Sequence, residues 1–327
     1  MASRRTGTVI YKKELSSGLA VFRMKPEQDR EFPVYTAGQY IAIGRDDALL
    51  TKKVGVDADG KPQFAPDLDE NGQQRTGPVM HSYSIASAPW ETREQGYLEF
   101  YVVQETAGGV PGRLITVLLG LPCCEDEPIN YVDRIVGSFT LEKLVEDATR
   151  VVMIGTGTGL APVISMIKQL EHESTASRSD GRIYTLLHTN RTVAELGYHQ
   201  KLREIAEAGS FDFVYVPTVS RPTPRDADDP TLGIGRATNV LRHIYGLEMT
   251  EEERATVAEA GPERAAAEAA HARAVRPSLP PVVDARALRE RFDPASTVIL
   301  TCGNPASTSD IQATAGHVGA RAEVEPW

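Results

Sequence analysis

The feature that most constrains the fold is an apolar strand that leads directly into a glycine-rich turn and a helix. Val151-Val152-Met153-Ile154 is followed by Gly155-Thr156-Gly157-Thr158-Gly159 and by a helical pattern through Leu170. Further predicted elements alternate in the same way: a strand at 183–187, a helix at 193–208, a strand at 213–219 and a strand at 298–301. This alternation predicts βαβ units around a parallel sheet.

The first 140 residues have a different sequence pattern. Short β-rich runs separated by turn residues predict an antiparallel barrel or sandwich, with strands at 8–11, 19–22, 40–43, 83–85 and 98–103. The boundary is expected near 141–148, which gives a barrel domain over 1–145 and an α/β domain over 146–327. Residues 52–78 are polar and predict a surface hairpin or loop. Residues 242–294, rich in Ala, Glu and Arg, predict an exposed helical insertion, with a low-complexity linker as the alternative.

Composition excludes several classes of protein. The formal net charge of -10 over 327 residues disfavours nucleic-acid binding, although the first 53 residues are locally basic. Cys123, Cys124 and Cys302 are too few for a disulfide framework or a four-cysteine iron–sulfur cluster. The N-terminus does not resemble a signal peptide, and the longest uncharged run, 151–167, contains glycines and a proline that a membrane span would avoid. We expect a cytoplasmic protein with no membrane partner and no bound metal.

The glycine turn predicts a dinucleotide site. Gly157, Thr158 and Gly159 lie where a tight turn lets the backbone approach a pyrophosphate, and the following helix offers unpaired N–H groups. The pattern lacks the usual third glycine of the dinucleotide fingerprint, so a purely structural strand–helix turn is the alternative. The position of the turn after an apolar strand favours the nucleotide.

The ends of the next strands favour NADP over NAD. NAD-binding folds usually carry an acidic residue at the end of the second strand, but residues 188–191 read His-Thr-Asn-Arg. Arg191, Arg221 and Arg236 follow strands on the expected edge, and arginines bind a 2′-phosphate through charge-assisted bonds. Solvated loop charges are the alternative interpretation of the same arginines.

Taken together, the motifs resemble those of the bacterial ferredoxin (flavodoxin)–NADP reductases, over nearly the whole chain except 52–78 and 242–294. The motifs that carry the resemblance are Gly38-Gln39-Tyr40-Ile41, His81-Ser82-Tyr83-Ser84-Ile85-Ala86-Ser87, Phe100-Tyr101-Val102-Val103, Gly155 to Pro162, Ser220-Arg221, Cys302-Gly303-Asn304-Pro305 and a terminal tryptophan. The resemblance implies an antiparallel β-barrel for FAD followed by a parallel-sheet, Rossmann-like domain for NADP.

The resemblance also implies roles for individual residues. Tyr83 would pack on the flavin, with Ser84 near its reactive edge and Thr158 between flavin and nicotinamide. The remaining FAD contacts would come from His81, Ser82, Tyr101, Val102, Val103, Gly109, Val110, Pro111 and Trp327. The NADP contacts would come from Gly157, Thr158, Gly159, Asn190, Arg191, Ser220, Arg221, Arg236 and Gly303. The groups closest to the chemistry would be Ser84, Cys302, Glu325 and Trp327.

Three positions depart from the family pattern. His81 replaces an arginine that faces the FAD phosphates, so a permanent charge becomes a titratable one. Pro111 replaces a serine or threonine and is expected at the first position of the pyrophosphate helix, with Arg113 within the same turn. Ser307 stands where a methionine is usual. The first two changes are expected to weaken FAD affinity while leaving the backbone donors intact.

The function implied is electron exchange between NADPH and a separate ferredoxin or flavodoxin through FAD. An NAD(P)H-dependent reductase component for free flavin or for a two-component oxygenase is a second hypothesis on the same fold. A non-catalytic nucleotide-sensing subunit is a third, disfavoured by the presence of Tyr83-Ser84 together with Cys302.

Overall fold

The computed structural model describes residues 3–56, 60, 62–104, 106–107, 110–121, 127–176, 178–247 and 277–325. The chain divides into two compact units, Met1–Thr140 and Leu141–Trp327. The sequence places the division after residue 145, and the intervening residues begin the second unit with the short helix α3, Leu141–Leu144. Most of the expected insertion, 248–276, lies outside the described residues, as do Cys123 and Cys124.

The first unit is built on an antiparallel sheet. Its described strands are β1 (Arg4–Ser16), β2 (Leu19–Lys25), β3 (Tyr40–Leu49), β4 (Thr51–Val56), β5 (Pro62–Pro66), β6 (Thr76–Ser84), β7 (Leu98–Val103), β8 (Thr106–Ala107), β9 (Val110–Pro111) and β10 (Glu127–Val136). Within the described residues, six of these form one sheet in the order β6-β3-β10-β1-β2-β7. After β6 the chain reaches β7, the strand at the opposite edge of the sheet, and there the Ala86 N–H donates to the Glu99 carbonyl. This architecture confirms the predicted antiparallel barrel class.

Alternating apolar residues give this sheet its core. Ile41 and Ile43 of β3 and Ile129 of β10 are fully buried, because every second side chain of a strand points to the same face. The rings of Phe22 and Phe100 stack across β2 and β7 with centroids 5.0 Å apart. In the described part of this unit two helices accompany the sheet, α1 (Pro89–Gln95) and α2 (Arg113–Gly120).

The polar stretch at 52–78 forms the hairpin that its turn residues predict, at least over its first part. Strands β4 and β5 pair antiparallel, apart from the six-stranded sheet. Val54 and Val56 are more than half exposed, so β4 contributes little to the core.

The second unit is a parallel sheet covered by helices. Its strands are β11 (Arg150–Thr156), β12 (Ile183–Asn190), β13 (Phe213–Val219), β14 (Gly233–Ile234), β15 (Thr297–Cys302) and β16 (Arg321–Glu325). In the part of the chain that the structure describes, they form a parallel six-stranded sheet in the order β14-β13-β12-β11-β15-β16. After α3 the helices are α4 (Leu160–Thr175), α5 (His199–Ala208), α6 (Pro224–Ala227), α7 (Ala237–Ile244), α8 (Ala285–Glu290) and α9 (Pro305–Val318).

The central strand β11 is apolar and buried from Val151 to Ile154, as expected for a strand that is covered on both faces. Val152 and Ile154 pack with Val240, Leu241 and Ile299 in one buried cluster. The predicted parallel fold is therefore confirmed. The predicted helix at 193–208 is wrong in one respect, because it is not continuous. A short 3₁₀ turn, Val193–Glu195, comes first, and Tyr198, with a left-handed backbone at φ 60°, precedes the start of α5.

One histidine in this sheet ties the stability of the second unit to pH. His188 of β12 is fully buried, and its Nδ1 lies 3.0 Å from the Tyr215 hydroxyl, which also contacts His199. Burial lowers the pKa of His188 from 6.5 to about 3, and the nearby His199 adds to this effect. The folded state therefore holds a neutral ring, whereas the unfolded chain takes up a proton as the pH falls below 6.5.

We expect acidification from pH 6.5 towards pH 3 to destabilise the second unit, because only the unfolded state gains this proton. The contribution of His188 is about 1.4 kcal/mol per pH unit within that window. The measurement is the unfolding midpoint in denaturant at several pH values, for the native chain and for His188→Leu. A variant with the same pH slope as the native chain would contradict the assignment.

Candidate functional site

The glycine turn lies between β11 and α4 at the carboxyl edge of the parallel sheet. Gly157 to Gly159 form a 3₁₀ turn, and Gly157 has a left-handed backbone at φ +56°. A Cβ added to Gly157 would meet nothing within 4 Å, so that side of the turn is open. In the described structure no side chain caps the first turn of α4. The open turn and the start of α4 therefore suit an anionic group.

Gly159 has a different role, which is close packing. A Cβ on Gly159 would lie 1.9 Å from the Cys302 carbonyl oxygen and 2.8 Å from the Gly303 Cα. Gly303 has φ +146°, and a Cβ there would lie 2.2 Å from the Thr156 Oγ1. These glycines bring the ends of β11 and β15 together, as the third glycine of a dinucleotide fingerprint does. The side chain of Thr158 is buried in the same turn.

Backbone hydrogen bonds join the ends of β12, β13 and β14. Arg221 N–H donates to the Arg191 carbonyl at 2.8 Å, and Ser220 N–H donates to the Asn190 carbonyl at 2.9 Å. Arg236 follows directly after Gly235, whose N–H donates to the Val219 carbonyl. Arg191, Arg221 and Arg236 are all exposed. The structure thus places the three predicted arginines on one edge of the sheet.

The side chain of Asn190 forms hydrogen bonds to neighbouring residues of the chain. Its Nδ2 donates to the Glu195 carbonyl at 2.7 Å, and its Oδ1 accepts from the Arg191 N–H at 2.9 Å. The side chain therefore fixes the turn after β12. Sequence reasoning missed Glu195, whose carboxylate lies 3.3 Å from the Arg191 Nε. The signal that could have identified it is the four-residue spacing of opposite charges.

Cys302 and Glu325 lie side by side on adjacent strands. They are register partners in β15 and β16, and both are buried. Burial raises the pKa of Glu325 from 4.5 to about 7. Its carboxyl group can therefore exist in either protonation state near neutral pH.

The first unit carries a second group of predicted residues. His81, Ser82, Tyr83 and Ser84 end β6, and Tyr83 packs against the buried core. Partial burial of the ring, together with the positive charge of Arg113, lowers the pKa of His81. At neutral pH, Arg113 is therefore the more persistent cation of the pair. Gly109 and Trp327 lie outside the described residues.

The expected position of Pro111 is wrong. Pro111 belongs to β9, which pairs with β8, and α2 begins two residues later at Arg113 with Gly112 as its N-cap. Gly112 has φ -59° and ψ 131°, so its backbone is not helical and the helix begins only at the next residue. No side chain caps α2 in the described structure, so its first N–H groups can serve a ligand.

Strand β7 forms an edge of the sheet. Tyr101 and Val102 are buried and Val103 is partly buried, all three paired with β2 on one side only among the described strands. An edge strand presents backbone donors and acceptors on its outer side. The arrangement is compatible with backbone recognition by Tyr101 to Val103.

Two absences hold for the residues described above. No group of three or more His, Cys, Asp or Glu side chains there could hold a metal ion. No helix of the described segments is long and apolar enough to cross a bilayer.

Comparisons with known proteins agree with this geometry. Residues 153–271 match the family model of the oxidoreductase NAD-binding domain. The chain is 32% identical over 161 residues to a flavodoxin/ferredoxin–NADP reductase of Rhodobacter capsulatus, covering 47% of this chain and 52% of that protein. It is 28% identical over 172 residues to a ferredoxin–NADP reductase of Azotobacter vinelandii, covering 50% and 58%. The aligned regions thus span about half the length of these curated relatives.

A solved structure matches the fold over its full length. This is a ferredoxin NADP+ reductase from Neisseria gonorrhoeae with bound FAD and NADP, with a TM-score of 0.58 and 18% identity over 99% of both chains. The fold thus resembles that of a two-domain reductase, and the glycine turn lies within the region that matches an oxidoreductase NAD-binding domain. The resemblance to the bacterial ferredoxin (flavodoxin)–NADP reductase family is confirmed.

Proposed function

We propose that the protein is an FAD-dependent oxidoreductase that exchanges electrons between NADPH and a separate one-electron carrier, a ferredoxin or flavodoxin. The observation that carries the proposal is the shared sheet edge: the open turn at Gly157 and the exposed Arg191, Arg221 and Arg236 all follow carboxyl ends of parallel strands. Ligands of open α/β sheets bind at this edge. The turn suits the pyrophosphate and the arginines suit the 2′-phosphate.

The first unit supplies groups that suit FAD. The uncapped start of α2 and the side chain of Arg113 provide positive charge for the FAD pyrophosphate, and His81 offers a ring that is mostly neutral at neutral pH. Tyr83, Ser84 and the outer edge of β7 would hold the flavin ring. FAD, when bound, would supply the conversion between hydride transfer and single-electron transfer.

The second unit supplies groups for the nicotinamide end. Cys302 and Gly303 end the strand next to the glycine turn, and Glu325 is the register partner of Cys302. Because the pKa of Glu325 is about 7, its carboxyl group can hold or release a proton at neutral pH. The roles of Ser84, Thr158 and Trp327 beside the flavin remain predictions from the resemblance.

The experiment that tests the function uses the purified full chain. We expect it to retain FAD and to reduce added ferredoxin or flavodoxin in the presence of NADPH. FAD release is measured by fluorescence after denaturation, and carrier reduction is measured anaerobically by absorbance. A protein that binds FAD and oxidises NADPH but reduces neither carrier would contradict the assigned carrier class.

Arg113→Ala is expected to weaken FAD retention by about tenfold to a hundredfold, because a charged hydrogen bond contributes about 1.5–3 kcal/mol. His81→Ala should have a smaller effect at neutral pH, since its lowered pKa leaves the ring mostly neutral. The measurement is the dissociation constant of FAD from the apoprotein, with the exposed Arg93 as the matched site for a control substitution to alanine. Equal affinities for Arg113→Ala and Arg93→Ala would contradict the assignment of Arg113.

A reductase component for another acceptor protein is the second candidate. The cytochrome b5 reductase domain of Ulva prolifera nitrate reductase matches with a TM-score of 0.59 and 19% identity, over 99% of this chain and 97% of that one. This similarity is close to that of the ferredoxin NADP+ reductase, so the fold alone does not select the acceptor. Reduction of a haem protein in preference to ferredoxin and flavodoxin would favour this candidate.

A further inference from the structure

Glu195 brings a carboxylate to the sheet edge where the strand-end sequence has none. Its Oε2 lies 3.3 Å from the Arg191 Nε, and the side chains of Glu195 and Arg191 are 16% and 56% exposed. Among the described residues, Arg221 and Arg236 have no carboxylate partner. The three arginines are therefore not equivalent, because within the described segments only Arg191 is paired with a carboxylate.

The position of Glu195 is fixed by its own turn. Asn190 Nδ2 donates to the Glu195 carbonyl at 2.7 Å, and Glu195 N–H donates to the Thr192 carbonyl at 3.1 Å. These bonds hold the 3₁₀ turn against the end of β12. The carboxylate thus belongs to an ordered part of the edge and is not a side chain at the tip of a mobile loop.

Carboxylates and phosphates compete for the same guanidinium. A 2′-phosphate that approaches Arg191 must displace or share the Glu195 contact, and the two anions repel each other. A 2′-hydroxyl carries no charge and can donate a hydrogen bond to the carboxylate, as it does to the acidic residue of NAD-binding folds. Glu195 therefore favours the dinucleotide without the 2′-phosphate, whereas Arg221 and Arg236 favour the one that carries it.

We propose that Glu195 is a specificity-determining residue that limits the preference for NADP(H) over NAD(H) by engaging Arg191. The proposal rests on the proposed function, since it assumes that the ribose 2′-position lies at this edge. It predicts that removal of the carboxylate charge increases the preference for ligands that carry the 2′-phosphate over ligands that lack it.

The test is calorimetric binding of two adenosine fragments, 2′,5′-ADP and ADP, to the full chain. Glu195→Gln is expected to bind 2′,5′-ADP about fivefold to tenfold more tightly than the native chain, with ADP binding unchanged or weakened. The matched control is Glu207→Gln, because Glu207 forms an exposed ion pair of the same spacing with Arg203 at 3.3 Å. The control should bind both fragments as the native chain does.

Unchanged or weaker binding of 2′,5′-ADP by Glu195→Gln would overturn the proposal, and so would an equal gain in Glu207→Gln. Glu195→Ala provides a second variant that removes the charge, with circular dichroism to establish that both variants fold. Failure of the proposed function gives a different result. In that case, Arg221→Ala would leave 2′,5′-ADP binding unaltered in both the native and the Glu195→Gln backgrounds.

Discussion

Replacement of Arg221 by alanine is expected to raise the KM for NADPH by about tenfold to a hundredfold while leaving the KM for NADH nearly unchanged. Arg221 is exposed directly after β13, and its N–H is bonded to the Arg191 carbonyl. Among the described residues it has no carboxylate partner, so its full charge is available to a 2′-phosphate. A charged hydrogen bond of this kind contributes about 1.5–3 kcal/mol.

The control for Arg221 is Arg225→Ala. Arg225 is exposed on α6, four residues further along the chain. Its removal changes the net charge by the same amount, so a general electrostatic effect on NADPH would appear in both variants. Equal losses with NADPH and NADH in Arg221→Ala would contradict a contact to the 2′-phosphate, because that group is present in only one of the two cofactors.

Gly159→Ala is expected to lower the free energy of unfolding of the second unit by about 3 kcal/mol, in the range of severe overpacking. The added Cβ would lie 1.9 Å from the Cys302 carbonyl oxygen, which is backbone and can move only if β15 moves. Gly159 has φ -60° and ψ -8°, an ordinary conformation for alanine, so the cost arises from the contact and not from the backbone. The shift should also distort the turn and weaken nucleotide binding.

Gly316→Ala provides the control for this steric effect. Gly316 lies within α9, and a Cβ there meets nothing within 4 Å. Alanine in a helix interior should stabilise the protein by about 0.5–1 kcal/mol. Denaturant unfolding of both variants is the measurement, and a Gly159→Ala protein as stable as Gly316→Ala would contradict the predicted close approach of β15 to the turn.

Patterns of apolar residues were sufficient to predict the class of each sheet and most of its strands, but not β10, β14 or β16. The continuous apolar run of β11 indicates a strand covered on both faces, and strand β13 has the predicted bounds. The glycine turn was placed correctly because its position follows from the strand before it and the helix after it. These features depend on neighbours in sequence, so a single chain is enough to predict them.

Features that depend on tertiary contacts could not be predicted in this way. The left-handed Tyr198 breaks a run that is otherwise helical in composition, and its neighbour His199 contacts Tyr215 on another element. The contact of Gly159 with the Cys302 carbonyl joins residues far apart in the chain. The Glu195–Arg191 pair could have been predicted from the four-residue spacing of opposite charges, but the residues at the end of β12 alone do not indicate it.

The most direct test of the central claim is an anaerobic titration of the purified full chain with NADPH, followed by the visible absorbance of its flavin. We expect a yellow protein whose flavin band is bleached by about one equivalent of NADPH, since hydride transfer reduces FAD fully. NADH should require a higher concentration for the same bleaching. A protein that retains no flavin when supplied with FAD, or whose bound flavin stays oxidised in excess NADPH, would contradict the proposed function.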